Sequence, residues 1–229
     1  MLWPGPQQSV FWYDFEGLTD GNLWADKGPN GLHATPQAGF ASPNFGLARN
    51  AHNKGYANFT GAANVYGTLP LRFYNYAPVI GNMTLVVVAQ HTIPTINCRI
   101  FNARTGAEGM FCYYVTAETM NILAYDAGGV GTQLFDAANV PLTGRTRASI
   151  YALGKTGSTG YIWHDCVQRT VTWGGNTNPI AYNLALVPSI GSAGAASYFI
   201  GRMYWLILFP FVFTDSEAKA MSAWLMDQV

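Results

Sequence analysis

The sequence predicts an all-β protein, a two-sheet antiparallel jelly-roll sandwich with one short C-terminal helix. Three observations lead to this prediction. Short segments rich in Val, Ile, Thr and aromatic residues recur along the 229 residues. Gly and Pro separate these segments throughout, which is the pattern of many short strands joined by turns. Near the C-terminus, by contrast, the apolar residues recur at helical spacing.

The strand segments are recognised by their β-branched and aromatic residues. The run at 83–89 is apolar at almost every position, so we expect a central strand buried on both faces. Segments 161–165 and 171–173 flank a polar stretch, so we expect a hairpin with its turn at 165–169. The predicted strands are residues 10–15, 55–59, 83–89, 98–102, 109–115, 121–125, 148–153, 160–164, 170–173, 184–187 and 198–209.

The C-terminal helix has a clear start signal. Thr214 is followed three residues later by Glu217, which fits a capping box, in which the two side chains satisfy free backbone N–H groups of the first turn. Apolar residues then recur three and four positions apart, so one face of the helix should pack on the sandwich. This apolar stripe consists of Ala218, Met221, Trp224 and Leu225.

Composition limits both domain organisation and function. Charged residues make up 10% of the chain and the formal net charge is zero, whereas an average soluble domain has roughly 25% charged residues. This balance excludes disorder and disfavours nucleic acid as a partner, because no basic excess exists to displace counterions. All-β domains reach about 200–250 residues. We therefore expect an N-terminal arm at residues 1–9 and a single domain at residues 10–229.

The chain has three cysteines, Cys98, Cys112 and Cys166. Their number is odd and no C-x-x-C pair occurs, so buried free thiols are favoured over a disulfide framework or a zinc site. A disulfide between Cys98 and Cys112 across a hairpin is the alternative. The N-terminus lacks the features of a secretory signal, and the longest apolar run is too short for a membrane helix, which needs about 20 residues. We expect a protein made in a cytoplasm, with no membrane partner.

Motifs near both ends of the chain occur in a distinctive order. They are residues 12–17, 24–34, 56–61, 82–89 and 198–209, followed by the capping box. This order resembles the laminin-G-like, concanavalin-A-like jelly roll, although Lys27 and Pro29 depart from the family's loop motif. The resemblance implies the jelly-roll fold. It leaves the function open, because this scaffold carries lectins, hydrolases and structural modules.

The sequence lacks the motifs of an enzyme. Hydrolases that resemble this fold need two carboxylates about 5–5.5 Å apart, which related glucanases supply from an E-x-D-x-(x)-E strand. Asp14 and Glu16 form the only close carboxylate pair on a predicted strand, and they lack that context. A G-x-S-x-G elbow and an H-E-x-x-H motif are also absent. We assign no catalytic residue, and a glycoside hydrolase is the disfavoured alternative.

The opening loop contains a candidate metal site. The resemblance implies calcium as the cation to consider, and no other cofactor is expected. Calcium takes six to eight oxygen ligands, and Asp14, Asp26 and Asn30 supply oxygens within one stretch of chain. The alternative is that Asp26 and Asn30 organise turns through their own side chains.

A second group of residues has the side-chain types of a carbohydrate site. Such sites place exposed aromatic rings beside amides and carboxylates. The alternative is that these rings belong to the core, because alternation along a strand turns half of its side chains inward. The candidate residues are Trp163, His164, Asp165, Trp173, Asn176 and Asn178.

The composition also has the character of an interface. The chain contains eight Arg and four Lys, with 13 Tyr and 7 Trp, and protein interfaces are enriched in Arg and aromatics and depleted of Lys and Glu. The alternative is that low charge reflects a large core. The prolines of the arm favour an extended conformation that could lie across a neighbour. Candidate interface residues are Trp3, Phe73, Tyr74 and Tyr76.

Together these inferences favour a non-enzymatic structural protein of a phage virion. The expected role is capsid decoration, cementing or a tail-associated position, acting through protein–protein interfaces. The expected partners are other virion proteins and further copies of this chain, and the expected location is the assembled particle. Trp3 is the expected anchor of the arm, because buried Trp often dominates binding. A lectin-like module for attachment to a host-surface glycan is the alternative.

Overall fold

Two antiparallel β-sheets pack face to face, and a helix covers the outside of one of them. The computed structural model describes residues 4–15, 23–37, 54–61, 66–79, 81–92, 98–106, 108–116, 119–136, 144–154, 159–169, 171–174, 177–192 and 197–229. The strands are β1 (Phe11–Asp14), β2 (Thr35–Pro36), β3 (Ala57–Thr60), β4 (Gly67–Thr68), β5 (Asn82–His91), β6 (Cys98–Thr105), β7 (Glu108–Thr116), β8 (Thr119–Tyr125), β9 (Gly131–Asp136), β10 (Thr146–Gly154), β11 (Thr159–His164), β12 (Val167–Arg169), β13 (Val171–Gly174), β14 (Ser189–Ile190) and β15 (Ile200–Phe209). Helix α1 (Asp215–Asp227) and the 3-10 turns Pro6–Gln8 and Leu71–Asn75 complete the described elements.

The first sheet is built around long strands from distant parts of the chain. Its order is β1-β15-β5-β10-β11-β12, and β3 also pairs with β15. The second sheet has the order β13-β9-β8-β7-β6-β14-β4-β2. Within it, β6 to β9 form a meander in which each strand pairs with the next. The all-β sandwich predicted from the sequence is therefore confirmed.

Strand β5 lies at the centre of the first sheet and is buried on both faces. Leu85 and Val87 belong to the core between the two sheets, whereas Val86 and Val88 belong to a second core under the helix. None of these four side chains is more than 1% exposed. Alternation thus sends successive residues into two different cores. The predicted doubly buried strand at 83–89 is confirmed.

Helix α1 closes the outer face of the first sheet. The Glu217 carboxylate accepts the backbone N–H of Thr214 at 2.8 Å, and Thr214 Oγ1 accepts the backbone N–H of Glu217 at 3.3 Å. Both halves of the predicted capping box are present. Ala218, Met221 and Leu225 are buried in the outer core, as the apolar stripe indicates. No helix within the described ranges is long and apolar enough to cross a membrane.

The hairpin predicted for segments 161–165 and 171–173 is wrong. β11 pairs with β12 instead, through a two-residue turn in which Asp165 and Cys166 have φ of 48° and 68°. Positive φ at both positions is the geometry of a tight type I′ hairpin turn. β13 then crosses to the second sheet and pairs with β9. Because β12 follows the short turn and pairs with β11, it takes the place that the prediction gave to β13.

The strand predicted at 184–187 is also wrong. Asn183 Oδ1 accepts the backbone N–H of Ala185 at 3.0 Å, and the Asn183 carbonyl accepts that of Leu186 at 3.1 Å. The Asn side chain thus stabilises a turn in place of a strand ladder. After β13, the chain next joins the second sheet at β14.

The cysteines are free thiols. Cys98 and Cys112 lie buried on neighbouring strands, but the register places Cys98 opposite Tyr114 and Cys112 opposite Phe101. The two sulfurs therefore do not face each other, and the alternative disulfide is not formed. Burial raises the pKa of the Cys112 thiol, so this residue behaves as a small core side chain.

The described part of the N-terminal arm forms a short turn and is held to the opening loop, where the Asn30 amide donates to the Ser9 carbonyl at 3.3 Å. Trp3 lies outside the described residues. Pro6–Gln8 forms a 3-10 turn, and the Ser9 hydroxyl donates to the Pro6 carbonyl at 2.7 Å. Proline suits the first position of such a turn, where its missing N–H is not needed. The extended conformation expected for the arm is therefore wrong at residues 6–8.

Candidate functional site

Asp26 organises the opening loop from a buried position. Its Oδ1 accepts the backbone N–H groups of Trp12 and Gly28, both at 2.8 Å. Its Oδ2 accepts the backbone N–H of Leu32, also at 2.8 Å. One carboxylate thus joins strand β1 to two points of the loop. Both of its oxygens face N–H donors, which would repel a cation.

The other two candidate calcium ligands also have protein partners. The Asn30 amide nitrogen donates to the carbonyls of Ser9 and Val10 at 3.3 and 2.8 Å, and Asp14 forms an ion pair with Lys27. In the part of the chain that the structure describes, no group of three or more His, Cys, Asp or Glu side chains converges as a metal site requires. Asp14, Asp26 and Asn30 therefore do not fit a calcium site.

Trp163, the central aromatic residue of the candidate carbohydrate site, is buried under the helix. Its ring is 1% exposed, and its indole N–H donates to Asp215 Oδ1 at 2.9 Å. This bond ties β11 to the first turn of α1. A sugar can stack only on a ring with an accessible face, so the prediction of a sugar platform is wrong at Trp163.

His164 and Asp165 stabilise the β10–β11 pair. His164 is buried, with Nδ1 2.9 Å from Ser149 Oγ on the facing strand. Asp165 accepts the backbone N–H of Ala148 at 3.0 Å and pairs with the Arg147 guanidinium. These bonds use both side chains within the fold. They explain why polar residues occur at the end of an otherwise apolar hairpin.

The remaining carbohydrate candidates do not form a common site with residues 163–165. Trp173 lies on β13 of the second sheet, whereas residues 163–165 belong to the first sheet and its turn. Asn178 donates to Asp126 Oδ2 at 2.7 Å, which supports a turn of the second sheet. Asn176 lies outside the described residues. The predicted residues that the structure describes therefore lie on two sheets and do not form one exposed site.

The predicted interface residues in and next to the 71–75 turn differ in exposure. Phe73 is buried in the core between the sheets. Tyr74 is half-buried, and its hydroxyl donates to the Leu186 carbonyl at 2.8 Å. Tyr76 is 42% exposed. Of these three, Tyr76 is the ring that a partner can reach.

The outer face of the second sheet carries an arrangement that sequence patterns did not reveal. The guanidinium carbons of Arg99 and Arg104 lie 3.7 and 4.8 Å from the centroid of the Phe111 ring. Arg99 also lies 5.0 Å from the Tyr113 ring, and Arg104 lies 4.5 Å from the Tyr125 ring. Cations within about 6 Å of a ring centroid are attracted to its face. We call these five residues the arginine–aromatic ladder.

Strand register builds the ladder. Arg99 pairs with Tyr113, and Arg104 lies in one cross-strand row with Gly109 and Tyr125. Because Gly109 has no side chain, Arg104 reaches across β7 to the Tyr125 ring. Residues five apart on a regular strand face opposite sides. A bulge just after Arg99 adds the extra residue that returns both arginines to one face.

The charge of the ladder is not neutralised within the described residues. Neither Arg99 nor Arg104 forms an ion pair there. Nε and Nη1 of Arg99 and Nε of Arg104 are buried without a hydrogen-bond partner. Burial and the neighbouring charge of Arg104 lower the pKa of Arg99 to about 10, so Arg99 remains cationic at neutral pH. Phe111 is buried yet belongs to neither apolar core.

A depression of about 370 Å³ opens beside the two arginines. Asn102 and Thr105 add an amide and a hydroxyl to its lining, and Leu186 and Val187 form an apolar side. The described lining residues include no carboxylate, histidine or cysteine. The arrangement has the chemistry to hold an anion and offers no acid–base pair for turnover.

Comparison with known proteins identifies the fold. No family model matches the sequence, and no curated protein is detectably similar. The binding domain of botulinum neurotoxin serotype G superposes with a TM-score of 0.70 at 9% identity, over 95% of this chain and 51% of that one. The binding domain of Paraclostridial Mosquitocidal Protein 1 gives 0.66 at 9% identity, over 95% and 52%.

A Trypanosoma rangeli sialidase is also similar in structure. Its TM-score is 0.56 at 14% identity, over 97% of this chain and 33% of that one. The chain therefore spans about half, or less, of the length of these structures. At such low identities the likeness establishes the fold alone, a jelly-roll-like β-sandwich.

Proposed function

We propose that this chain is a non-catalytic binding module that holds its partner on the outer face of the second sheet. The observation that carries the proposal is the arginine–aromatic ladder beside an open pocket. Two like charges share one ring there, with no acid among the described residues to balance them. A cation–π contact contributes only about 0.5–1 kcal/mol at exposed sites, so stability alone gives little reason to place both arginines together.

The two sheets differ in how their outer faces are covered. Helix α1 buries the outer face of the first sheet under apolar side chains. On the second sheet the ladder arginines and tyrosines are only partly buried. The second sheet is therefore the favoured binding face. Several neighbours in fold are named as binding domains, two of them as receptor-binding domains, which supports a binding role here.

We propose further that this binding serves attachment within a particle, as a capsid decoration, cement or tail-associated protein of a virion. The interface-like composition supports this setting. Exposed apolar side chains give further support, at Leu71 and Tyr76 on one turn and Leu184 and Val187 on another. The Tyr74–Leu186 hydrogen bond ties these two turns together. Apolar residues exposed in this way mark interaction surfaces.

Co-sedimentation of the purified protein with phage particles and with bacterial envelopes tests the proposal. We expect retention of the wild type and loss of at least about tenfold in affinity for the double variant R99Q/R104Q, since charged hydrogen bonds are worth about 1.5–3 kcal/mol each. Arg202→Gln is the matched control, because Arg202 stacks on Tyr56 at 4.8 Å on the first sheet. This control should be retained like the wild type.

Two results would contradict the binding proposal, and a third would contradict its virion setting. Equal retention of R99Q/R104Q and wild type would show that the ladder is not the binding face, provided that circular dichroism shows R99Q/R104Q to be folded. Release of reducing sugar from the envelopes would show that the protein is not purely a binding module. Failure of the wild type to sediment with any particle would overturn the virion setting. Sedimentation velocity of the protein alone shows whether copies of the chain self-associate.

A further inference from the structure

The pocket beside the ladder presents two positive groups to one ligand. Nε and Nη1 of Arg99 and Nε of Arg104 are buried, so Nη2 of Arg99 and the two terminal nitrogens of Arg104 are the donors left for an acidic group. Arg99 and Arg104 both line the pocket. The charge of Arg104 disfavours the charged form of Arg99, and a bound anion would relieve that repulsion. An acidic ligand is therefore the one that gains most from this site.

The size and lining of the pocket suit a sugar residue. Its volume of about 370 Å³ falls in the range of small-ligand pockets, about 300–1,000 Å³. The exposed Thr105 hydroxyl can exchange hydrogen bonds with a sugar hydroxyl. The Asn102 amide is buried and donates to the Arg104 carbonyl at 3.3 Å, so it helps to position Arg104. Leu186 and Val187 offer an apolar wall for the C–H face of a sugar ring. The carboxylate of a single Asp or Glu side chain would use the arginines and leave the rest of the lining empty.

The sheet gives no support to an extended peptide as the occupant. Strand β6 is hydrogen-bonded to β7 on one side, and to β14 on the other side at Phe101 and Asn102. Peptides that bind as an added strand pair with backbone groups of a strand edge, whereas the donors that distinguish this pocket are the side chains of Arg99 and Arg104. Nucleic acid is disfavoured by the net charge of zero, because such binding draws on many basic residues.

The geometry points to a binding site for an acidic saccharide, in which Arg99 and Arg104 hold the carboxylate or sulfate of one sugar residue. Thr105 binds one of its hydroxyls, and Leu186 and Val187 contact its apolar face. The site rests on the proposed function, because it names the ligand class of the binding face. The cation pair selects for charge, and the remaining lining selects for a sugar.

Titration of the full chain with glucuronic acid and with glucose tests this site. The two sugars differ only in the group at C6, a carboxylate in one and a hydroxymethyl in the other. We expect glucuronic acid to shift the Nε–Hε NMR signals of Arg99 and Arg104 until the shifts reach a plateau. Glucose should bind with at least about tenfold lower affinity, because it lacks the charged hydrogen bond. Sodium acetate and sodium sulfate, as bare anions, should also bind at least about tenfold more weakly than glucuronic acid.

Variants separate the role of charge from that of shape. Arg99→Gln and Arg104→Gln should each abolish the preference for glucuronic acid over glucose, and Arg202→Gln should preserve it. Arg104→Lys keeps the charge but loses the planar fork, so it should bind with intermediate affinity. This conservative variant keeps the test valid if a glutamine variant fails to fold.

The outcomes that overturn the site differ from those that overturn the binding function. Equal binding of glucose and glucuronic acid would show that the arginines do not select for charge. Binding of sulfate or acetate as tight as that of glucuronic acid would show a plain anion site and remove the saccharide. Both results are compatible with loss of R99Q/R104Q from the particle. The non-catalytic binding function fails if that double variant is retained or if the envelopes release reducing sugar.

Discussion

Replacing Asp26 with alanine is expected to lower the free energy of unfolding by about 3–5 kcal/mol. The variant removes the acceptor of three backbone N–H groups, those of Trp12, Gly28 and Leu32. Each buried donor left unsatisfied costs about 1–3 kcal/mol. Urea unfolding followed by tryptophan fluorescence measures the loss.

A conservative variant and a chelator distinguish whether Asp26 is an acceptor of backbone N–H groups or a metal ligand. Asp26→Asn keeps one oxygen acceptor, so it should cost less than the alanine variant. Adding calcium or EDTA should leave the wild-type melting temperature unchanged, because the carboxylate already faces N–H donors. A wild-type melting temperature that rises with calcium and falls with EDTA would show that Asp26 is a metal ligand after all.

Leu225→Ala is expected to lower the free energy of unfolding by about 2–5 kcal/mol. Leu225 is buried in the outer core, where helix α1 packs against β10 and β11. The substitution leaves a cavity under the helix, and the surrounding side chains can collapse only partly into it. Loss of packing there weakens the contact that covers the apolar outer face of the first sheet.

Leu184→Ala provides a matched control with the same change of side chain. Leu184 is 66% exposed, so its truncation should change stability by no more than about 0.5 kcal/mol. Urea unfolding of both variants gives the comparison. Equal losses in the two variants would contradict the burial of the helix against the sheet.

The features that the sequence predicted well are local ones. The capping box at Thr214 and Glu217 lies within one turn of chain, so spacing alone identifies it. The doubly buried strand at 83–89 follows from an uninterrupted apolar run. Both depend on neighbours in sequence, and both are present in the structure.

The site predictions were wrong where the chain passes from one sheet to the other, and where one side chain can bind two different kinds of partner. Trp163 and Trp173 are ten residues apart, but the tight turn at 165–166 sends their strands into different sheets. Asp26 suits either a cation or N–H donors, and only the folded loop shows which of them surrounds it. Proximity along the chain does not decide either question.

The ladder was invisible in the sequence for a related reason. Its members come from β6, β7 and β8, and strict alternation would place Arg99 and Arg104 on opposite faces. A one-residue bulge reverses that expectation. Gly109, whose φ is 96°, opens the row between Arg104 and Tyr125. Neither a bulge nor a cross-strand row can be recognised from composition or spacing.

Hydroxyl-radical footprinting of the protein, bound to the particle or envelope that retains it, tests the central claim most directly. The measurement compares side-chain oxidation in the free and the bound protein. We predict that binding lowers oxidation of Tyr113, Tyr125 and Leu184 several-fold and leaves Tyr161, on the first sheet and 37% exposed, unchanged. Protection of Tyr161 with no protection of Tyr113 and Tyr125 would contradict a binding face on the second sheet.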